Sequence, residues 1–164
     1  MKLSILDQIP IPSNMNAQQA LANSLALAQL GDELGYTRFW LAEHHNTLSL
    51  ASSAPEISIA AIAAQTKNIR VGSGGVMSMH YSALKIAEVF NTLSGYFPER
   101  IDLGIGRAPG GDHPSIAALA QGRRVYMEDQ YDKIKAILQL MNGEQAELAE
   151  YRPVRVTPAN VPLA

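Results

Sequence analysis

Phe39-Trp40-Leu41-Ala42-Glu43-His44-His45-Asn46 is the stretch whose reading decides the fold. Phe39 to Ala42 is a short, almost wholly apolar run of the kind that a parallel strand buried on both faces requires. It ends abruptly in an acid, two adjacent imidazoles and an amide. In α/β proteins, ligands and chemistry gather at the carboxyl ends of the strands. Two of the chain's 4 histidines stand side by side at this end. Taken alone, the pair is equally compatible with one structural histidine packed in place and one capping a loop, because clustered ionisable groups also occur in purely structural networks.

Working outward, similar punctuation recurs along the chain. Leu3 to Leu6 reads as a first strand ending in Asp7-Gln8, and Pro10 and Pro12 keep the next residues extended. Asn16 with Gln19 three residues on has the form of a capping box, opening a first helix that runs to Leu34. Leu21, Leu25 and Ala28, then Leu27, Leu30 and Leu34, keep helical spacing and predict one buried face, and Gly35 supplies a left-handed stop. After the second strand, Arg38 to Ala42, and a polar loop, Pro55 stands at the first turn of a second helix, Glu56 to Gln65. That helix is apolar almost all round, which predicts burial on both sides, against the sheet and against another subunit. A third strand, Ile69 to Gly72, runs into Ser73-Gly74-Gly75-Val76-Met77, where backbone must approach something closely. A third helix, Ala83 to Leu93, closes at Gly95, and a fourth strand, Ile101 to Ile105, leads into a long Gly/Pro loop to Pro114. Met127, Tyr131, Ile134, Leu138 and Met141 predict a last helix, stopped by Asn142-Gly143. Residues 1–141 therefore read as four βα units and residues 142–164 as an extended, proline-containing tail.

Strand starts near residues 3, 38, 69 and 101 give a βα repeat of roughly 30 to 35 residues. Four such units in right-handed succession suggest half of an eight-fold barrel or an open doubly wound sheet. Composition narrows the function classes. With 164 residues, 47% of them hydrophobic, the chain can bury a substantial core. Lys+Arg 13 against Asp+Glu 15 offers no basic footprint for nucleic acid. No run of about 18 apolar residues predicts a membrane span, and Asp7 arrives too early for the apolar region of a signal peptide, so a cytoplasmic protein is expected. With Cys 0, disulfides, thiolate metal sites and cysteine nucleophiles are excluded, and no histidine pair has the i, i+4 spacing of a helical metal site. Gly104-Ile105-Gly106-Arg107-Ala108-Pro109 only superficially resembles a dinucleotide fingerprint, since proline holds the last position. His80 receives no role, and His113 reads as a solvated loop residue.

Four pieces together carry a resemblance. The Phe39–Asn46 stretch resembles the Glu-His-His strand end of the bacterial-luciferase-like, flavin-dependent monooxygenases. Val71-Gly72-Ser73-Gly74-Gly75-Val76, Arg100-Ile101-Asp102-Leu103-Gly104-Ile105-Gly106-Arg107 and Val154-Arg155-Val156-Thr157-Pro158 follow in that family's order. The resemblance implies the amino-terminal half of a (β/α)8 TIM barrel, in a family whose members run to about twice this length. It implies reduced FMN, with deazaflavin F420 as the cofactor of another branch, and the oxidation by O2 of a small organic substrate such as an aldehyde.

By the same resemblance, His44 matches the catalytic imidazole, a group that can take and return a proton near neutral pH. Glu43 and His45 would orient it or the flavin, the alternative for His45 being a ring packed on the barrel wall. Gly74 and Gly75, followed by Val76, align with a non-prolyl cis peptide beneath the flavin ring; an ordinary glycine bulge is the alternative. Arg107 matches an arginine that reaches the flavin phosphate, against the alternative of a solvent-facing loop residue. The resemblance further implies a homodimer through the second and third helices and a flavin reductase supplying reduced FMN. A half-barrel would expose two strand edges and its inner apolar face. The isolated chain accordingly has a second reading, an inactive fragment serving in folding or assembly.

Overall fold

A computed structural model describes residues 1–123, 130–146, 154–159 and 161. Four strands, β1 (Ser4–Asp7), β2 (Arg38–Leu41), β3 (Arg70–Met77) and β4 (Ile101–Gly106), form one parallel sheet in the order β1-β2-β3-β4. Helices α1 (Ala17–Glu33), α2 (Pro55–Ala63) and α3 (Ala83–Tyr96) connect them, and α4 (His113–Leu119) and α5 (Gln130–Met141) follow β4. This is the succession of βα units expected for half of an eight-fold barrel. All four strands run the same way, so their carboxyl ends, with Asp7, Glu43, Met77 and Gly106, share one mouth.

Register decides which side chains meet. Ile5, Phe39, Val71 and Ile101 lie in one row across the sheet. Phe39 and Val71 have no exposed surface, and with Ile59, Ile62, Ile86, Phe90, Ile137 and Leu140 they build the core between sheet and helices. The adjacent row, Leu6, Trp40, Gly72 and Asp102, faces the other way. Gly72 leaves room there for the Trp40 ring, since a Cβ would stand 2.9 Å from its Cζ3 and 2.4 Å from the Asp102 carbonyl oxygen. Nearer the amino ends of the strands, Arg38 and Arg70 both pair with Asp102, at 3.0 and 2.7 Å.

The capping box at α1 forms as expected, Asn16 Oδ1 accepting from the Gln19 N–H at 2.9 Å and Gln19 Oε1 from the Asn16 N–H at 2.9 Å. The buried face of α1 matches the prediction at Ala28 and, half-buried against the core, at Leu25, but not at the other leucines. Ala20, Ser24, Ala28 and Gly31 are buried, while Leu21, Leu27, Leu30 and Leu34 are 41–66% exposed. One reason is proximity: a Cβ on Gly31 would already stand 3.0 Å from Ile5 Cδ1, so the helix approaches the sheet closely there. In α2, Pro55 takes the first turn and Ile59, Ile62 and Ala63 are buried, but Ile57 is 68% exposed, so in the single chain only one side of the helix is covered.

Three boundaries also differ from the sequence reading. Gly95 does not end α3, which continues to Tyr96 with the Phe97 N–H donating to the Leu93 carbonyl. The strand β3 runs through the glycines to Met77, with a bulge between Ser73 and Val76. There the buried Ser73 hydroxyl donates to the Gly104 carbonyl at 2.8 Å and accepts from the Gly104 N–H at 3.1 Å, satisfying groups the bulge removes from the ladder. The Gly74–Gly75 peptide is cis. Finally, the Gly/Pro loop contains α4, its N-cap Asp112 accepting from the Ser115 N–H. The last predicted helix corresponds to α5, stopped at Gly143 (φ 78°), while Met127 lies outside the described residues. In the tail, Ala146 and Val154 form an antiparallel bridge and the Pro158 carbonyl accepts from Asn91 Nδ2 at 3.2 Å.

Candidate active site

The β2 strand ends at Leu41, and alternation then turns Glu43 inward and leaves His44 half-buried. Glu43 has no exposed surface. Its carboxylate accepts three hydrogen bonds, from His45 Nε2 at 2.7 Å, the Tyr81 hydroxyl at 2.8 Å and the Met77 N–H at 2.7 Å. A buried carboxylate requires such donors, because an unpaired charge away from water is strongly unfavourable. The Leu41–Ser73 register makes the arrangement possible by bringing the end of β3 alongside residue 43. Burial, and then the carboxylate beside it, pushes the Tyr81 phenol well above its usual range.

His45 is thus tied on one side to Glu43, and its backbone N–H donates to the Gly110 carbonyl at 2.8 Å. The His80 ring stands edge-on to it, 6.1 Å between centroids. His44 takes a different course. Its N–H donates to the carbonyl of Ser52, and its Nδ1 faces the Ser52 hydroxyl at 3.4 Å. Ser52 is 1% exposed, so the imidazole is backed at Nδ1 by a fixed group, with Nε2 as its other nitrogen.

The glycine pair opens on the same mouth. Gly74 is exposed and Gly75 half-buried, with Val76 buried behind them. A Cβ on Gly74 would meet Trp40 Cβ at 3.0 Å and Leu6 Cδ1 at 3.1 Å; one on Gly75 would meet the β4 backbone at 2.7–2.9 Å. Bare backbone at these positions is therefore demanded by neighbouring strands as well as open to a ligand. Arg107, directly after β4, is exposed and has no ion-pair partner among the described residues. The loop it opens packs on the β2 loop, Asn46 Nδ2 donating to Asp112 Oδ2 at 2.8 Å. Asp112 is held below the usual carboxylate range by its hydrogen bonds from Ser115 and Asn46. Asp7 turns back on its own loop, accepting from the Ile9 N–H at 2.8 Å, and His113 is exposed.

The structure thus brings His44, Glu43, His45, Gly74, Gly75, Val76 and Arg107 to one end of the sheet. Sequence reasoning missed Ser52, His80 and Tyr81, which enter the cluster from loops 8 to 38 residues away in the chain. No group of three or more metal-ligating side chains occurs among the described residues, and no helix there is long and apolar enough to cross a membrane.

Comparison with known proteins agrees with this architecture. The chain is 41% identical over 157 residues to the N-acetyl-S-alkylcysteine monooxygenase of Bacillus subtilis (strain 168), covering 96% of this chain and 47% of that protein. The crystal structure of apo-MsnO8 superposes with a TM-score of 0.87 at 43% identity, covering 96% of this chain and 46% of that one. The chain therefore spans about half the length of these relatives. The same fold, at 21% identity and a TM-score of 0.80, forms the oxygenating constituent of 3,6-diketocamphane monooxygenase from Pseudomonas putida, determined in complex with FMN. It also forms an F420-dependent secondary alcohol dehydrogenase, at 13% identity and a TM-score of 0.71. The family model described as luciferase-like monooxygenase matches residues 1–164 throughout, and the chain belongs to that family.

Proposed function

We propose that this chain provides the amino-terminal half of a flavin-dependent monooxygenase that uses reduced FMN and O2 to oxidise a small organic substrate such as an aldehyde. The observation that carries the reading is the convergence, at one mouth, of a half-buried His44 backed by Ser52, the bare Gly74–Gly75 backbone and the exposed guanidinium of Arg107. This donor set fits a phosphorylated flavin: a planar fork for the phosphate, and backbone without side chains for the ring. When bound, reduced FMN supplies the electrons that activate O2.

Everything else is the work of the protein's own groups. His44 moves a proton at Nε2, its ring held from behind at Nδ1 by Ser52. Glu43 holds His45, and through the Met77 N–H fixes the end of β3 beside the glycines. Leu6 and Trp40 add apolar surface beside the Gly74 backbone. The Glu43-His44-His45 strand end favours FMN over F420. Exposed Ile57 on α2 and Tyr96 on α3 line an open groove with Ala60 and Val89, and this face is the proposed homodimer contact. A flavin reductase is the proposed source of reduced cofactor.

The test is a titration of the purified chain with FMN, oxidised and then reduced, followed by flavin fluorescence, with F420 in parallel. Micromolar FMN binding that weakens on His44→Ala or Arg107→Ala supports the reading. Absence of binding up to millimolar FMN overturns it for this chain and leaves the folded-scaffold reading in its place.

A further inference from the structure

We propose that His80, which no sequence pattern marked, is a positioning residue that presets the Arg107 loop for the phosphate of a flavin nucleotide. The inference rests on the flavin reading above. Within Gly106–Gly110, three backbone carbonyls are held by donors from outside the loop. The Gly106 carbonyl accepts from Gln130 Nε2 at 3.2 Å, that of Pro109 from His80 Nε2 at 2.7 Å, and that of Gly110 from the His45 N–H at 2.8 Å. Arg107 and Ala108 are the two residues between the first anchor and the second. The guanidinium thus projects from a backbone that is fixed on both sides.

His80 is built for this contact. It is 8% exposed and packs edge-on against His45 and Tyr81, with ring centroids 6.1 and 6.4 Å away. A carbonyl oxygen only accepts, so Nε2 carries the proton, and the buried Nδ1 has no partner among the described residues. An apolar side chain would fill the same space without an orphaned nitrogen, so the bond to Pro109 is what the imidazole adds. The single 3-10 turn that presents it, Ser78–His80, is itself fastened to α5. The Ser78 hydroxyl accepts from Gln130 Nε2 at 2.5 Å, and the Ser78 carbonyl from Lys133 Nζ at 2.8 Å. Gln130 therefore bridges the turn and the end of β4. Fixing a charged group before its ligand arrives removes an ordering cost from binding, and the benefit falls on the phosphate alone.

The experiment compares the affinities of the whole chain for FMN and for riboflavin, which lacks the phosphate. His80→Leu removes the donor and keeps buried bulk, whereas His80→Gln restores a side-chain N–H near the Nε2 position. The expected result is FMN binding weakened about tenfold by His80→Leu, riboflavin binding unchanged, and recovery in His80→Gln. Loss of both affinities together, or of neither, overturns the proposal. If the unsubstituted chain binds neither flavin, the functional reading fails instead, and His80 is judged by amide hydrogen exchange over residues 107–111. Faster exchange there in His80→Leu, reversed in His80→Gln, supports the positioning role, and unchanged exchange refutes it.

Discussion

Replacing Tyr81 by phenylalanine removes one hydrogen-bond donor from Glu43, a fully buried carboxylate in the mouth. The phenyl ring retains the packing, so the cost isolates the 2.8 Å bond to Glu43, whose carboxylate has no exposed surface. Hydrogen bonds to charged acceptors contribute about 1.5–3 kcal/mol, and the two remaining donors, His45 and Met77, cannot also fill the vacated position. A loss of about 2 kcal/mol is expected, lowering the thermal midpoint of a chain this size by about 4–8 °C. The assay is urea unfolding of Tyr81→Phe, Glu43→Gln and the double variant, with unchanged slopes confirming that midpoint shifts report stability. Because the neutral amide is a weaker acceptor, Tyr81→Phe is expected to cost about 1–2 kcal/mol less in the Glu43→Gln background. Additive costs within about 0.5 kcal/mol would refute the claim that the pair acts as a unit.

The same phenol has a pH signature. Its raised pKa means that the folded state keeps a proton the unfolded state loses, so its contribution is fully present below about pH 10 and declines as pH rises further; ultraviolet titration of Tyr81→Phe against the parent should lack the most alkaline tyrosinate step. Asp32 behaves oppositely: burial raises its pKa, but hydrogen bonds from the Lys67, Asn68 and Ile69 N–H groups outweigh that and lower it. Asp32→Ala is expected to cost about 1–3 kcal/mol near neutrality, a penalty that shrinks as pH falls below about 4, checked by urea midpoints across pH. Gly75→Ala would place a methyl 2.7–2.9 Å from β4 backbone that has no side chain to swing aside, and a loss of about 1–3 kcal/mol is expected in the same assay.

What could be read from sequence was what local chemistry fixes. The Asn16–Gln19 box, Pro55 at the start of α2 and the Gly35 stop are set by residues within one turn, and all three form. Failures arose where a neighbour distant in sequence overruled the local signal. The Gly74-Gly75 pair reads as the end of a strand, yet the Ser73 hydroxyl bound to Gly104 keeps β3 a strand through it. On α1 the predicted face held at Ala28 and in part at Leu25, but Leu21, Leu27, Leu30 and Leu34 gave way to Ala20, Ser24 and Gly31, where Ile5 comes close to the helix. The signal for α4 was present and passed over: Asp112 with Ser115 three residues on, and Pro114 in the first turn. In the site, Glu43-His44-His45 announced itself as a cluster of chemistry-bearing types. Tyr81 and His80 did not, since their place beside it follows from the β2–β3 register and from no local pattern.

The sheet order carries a consequence for how such a chain is made. Each strand pairs with its predecessor in sequence, so every pairing closes a loop of roughly thirty residues, and no strand has to wait for a later one to slip in between. Assembly can therefore proceed vectorially, each βα unit docking on the edge left by the one before as the polypeptide leaves the ribosome. At every stage the sheet has two edges, β1 and the newest strand, and among the described residues β4 is the growing edge beside which a further parallel strand could be laid.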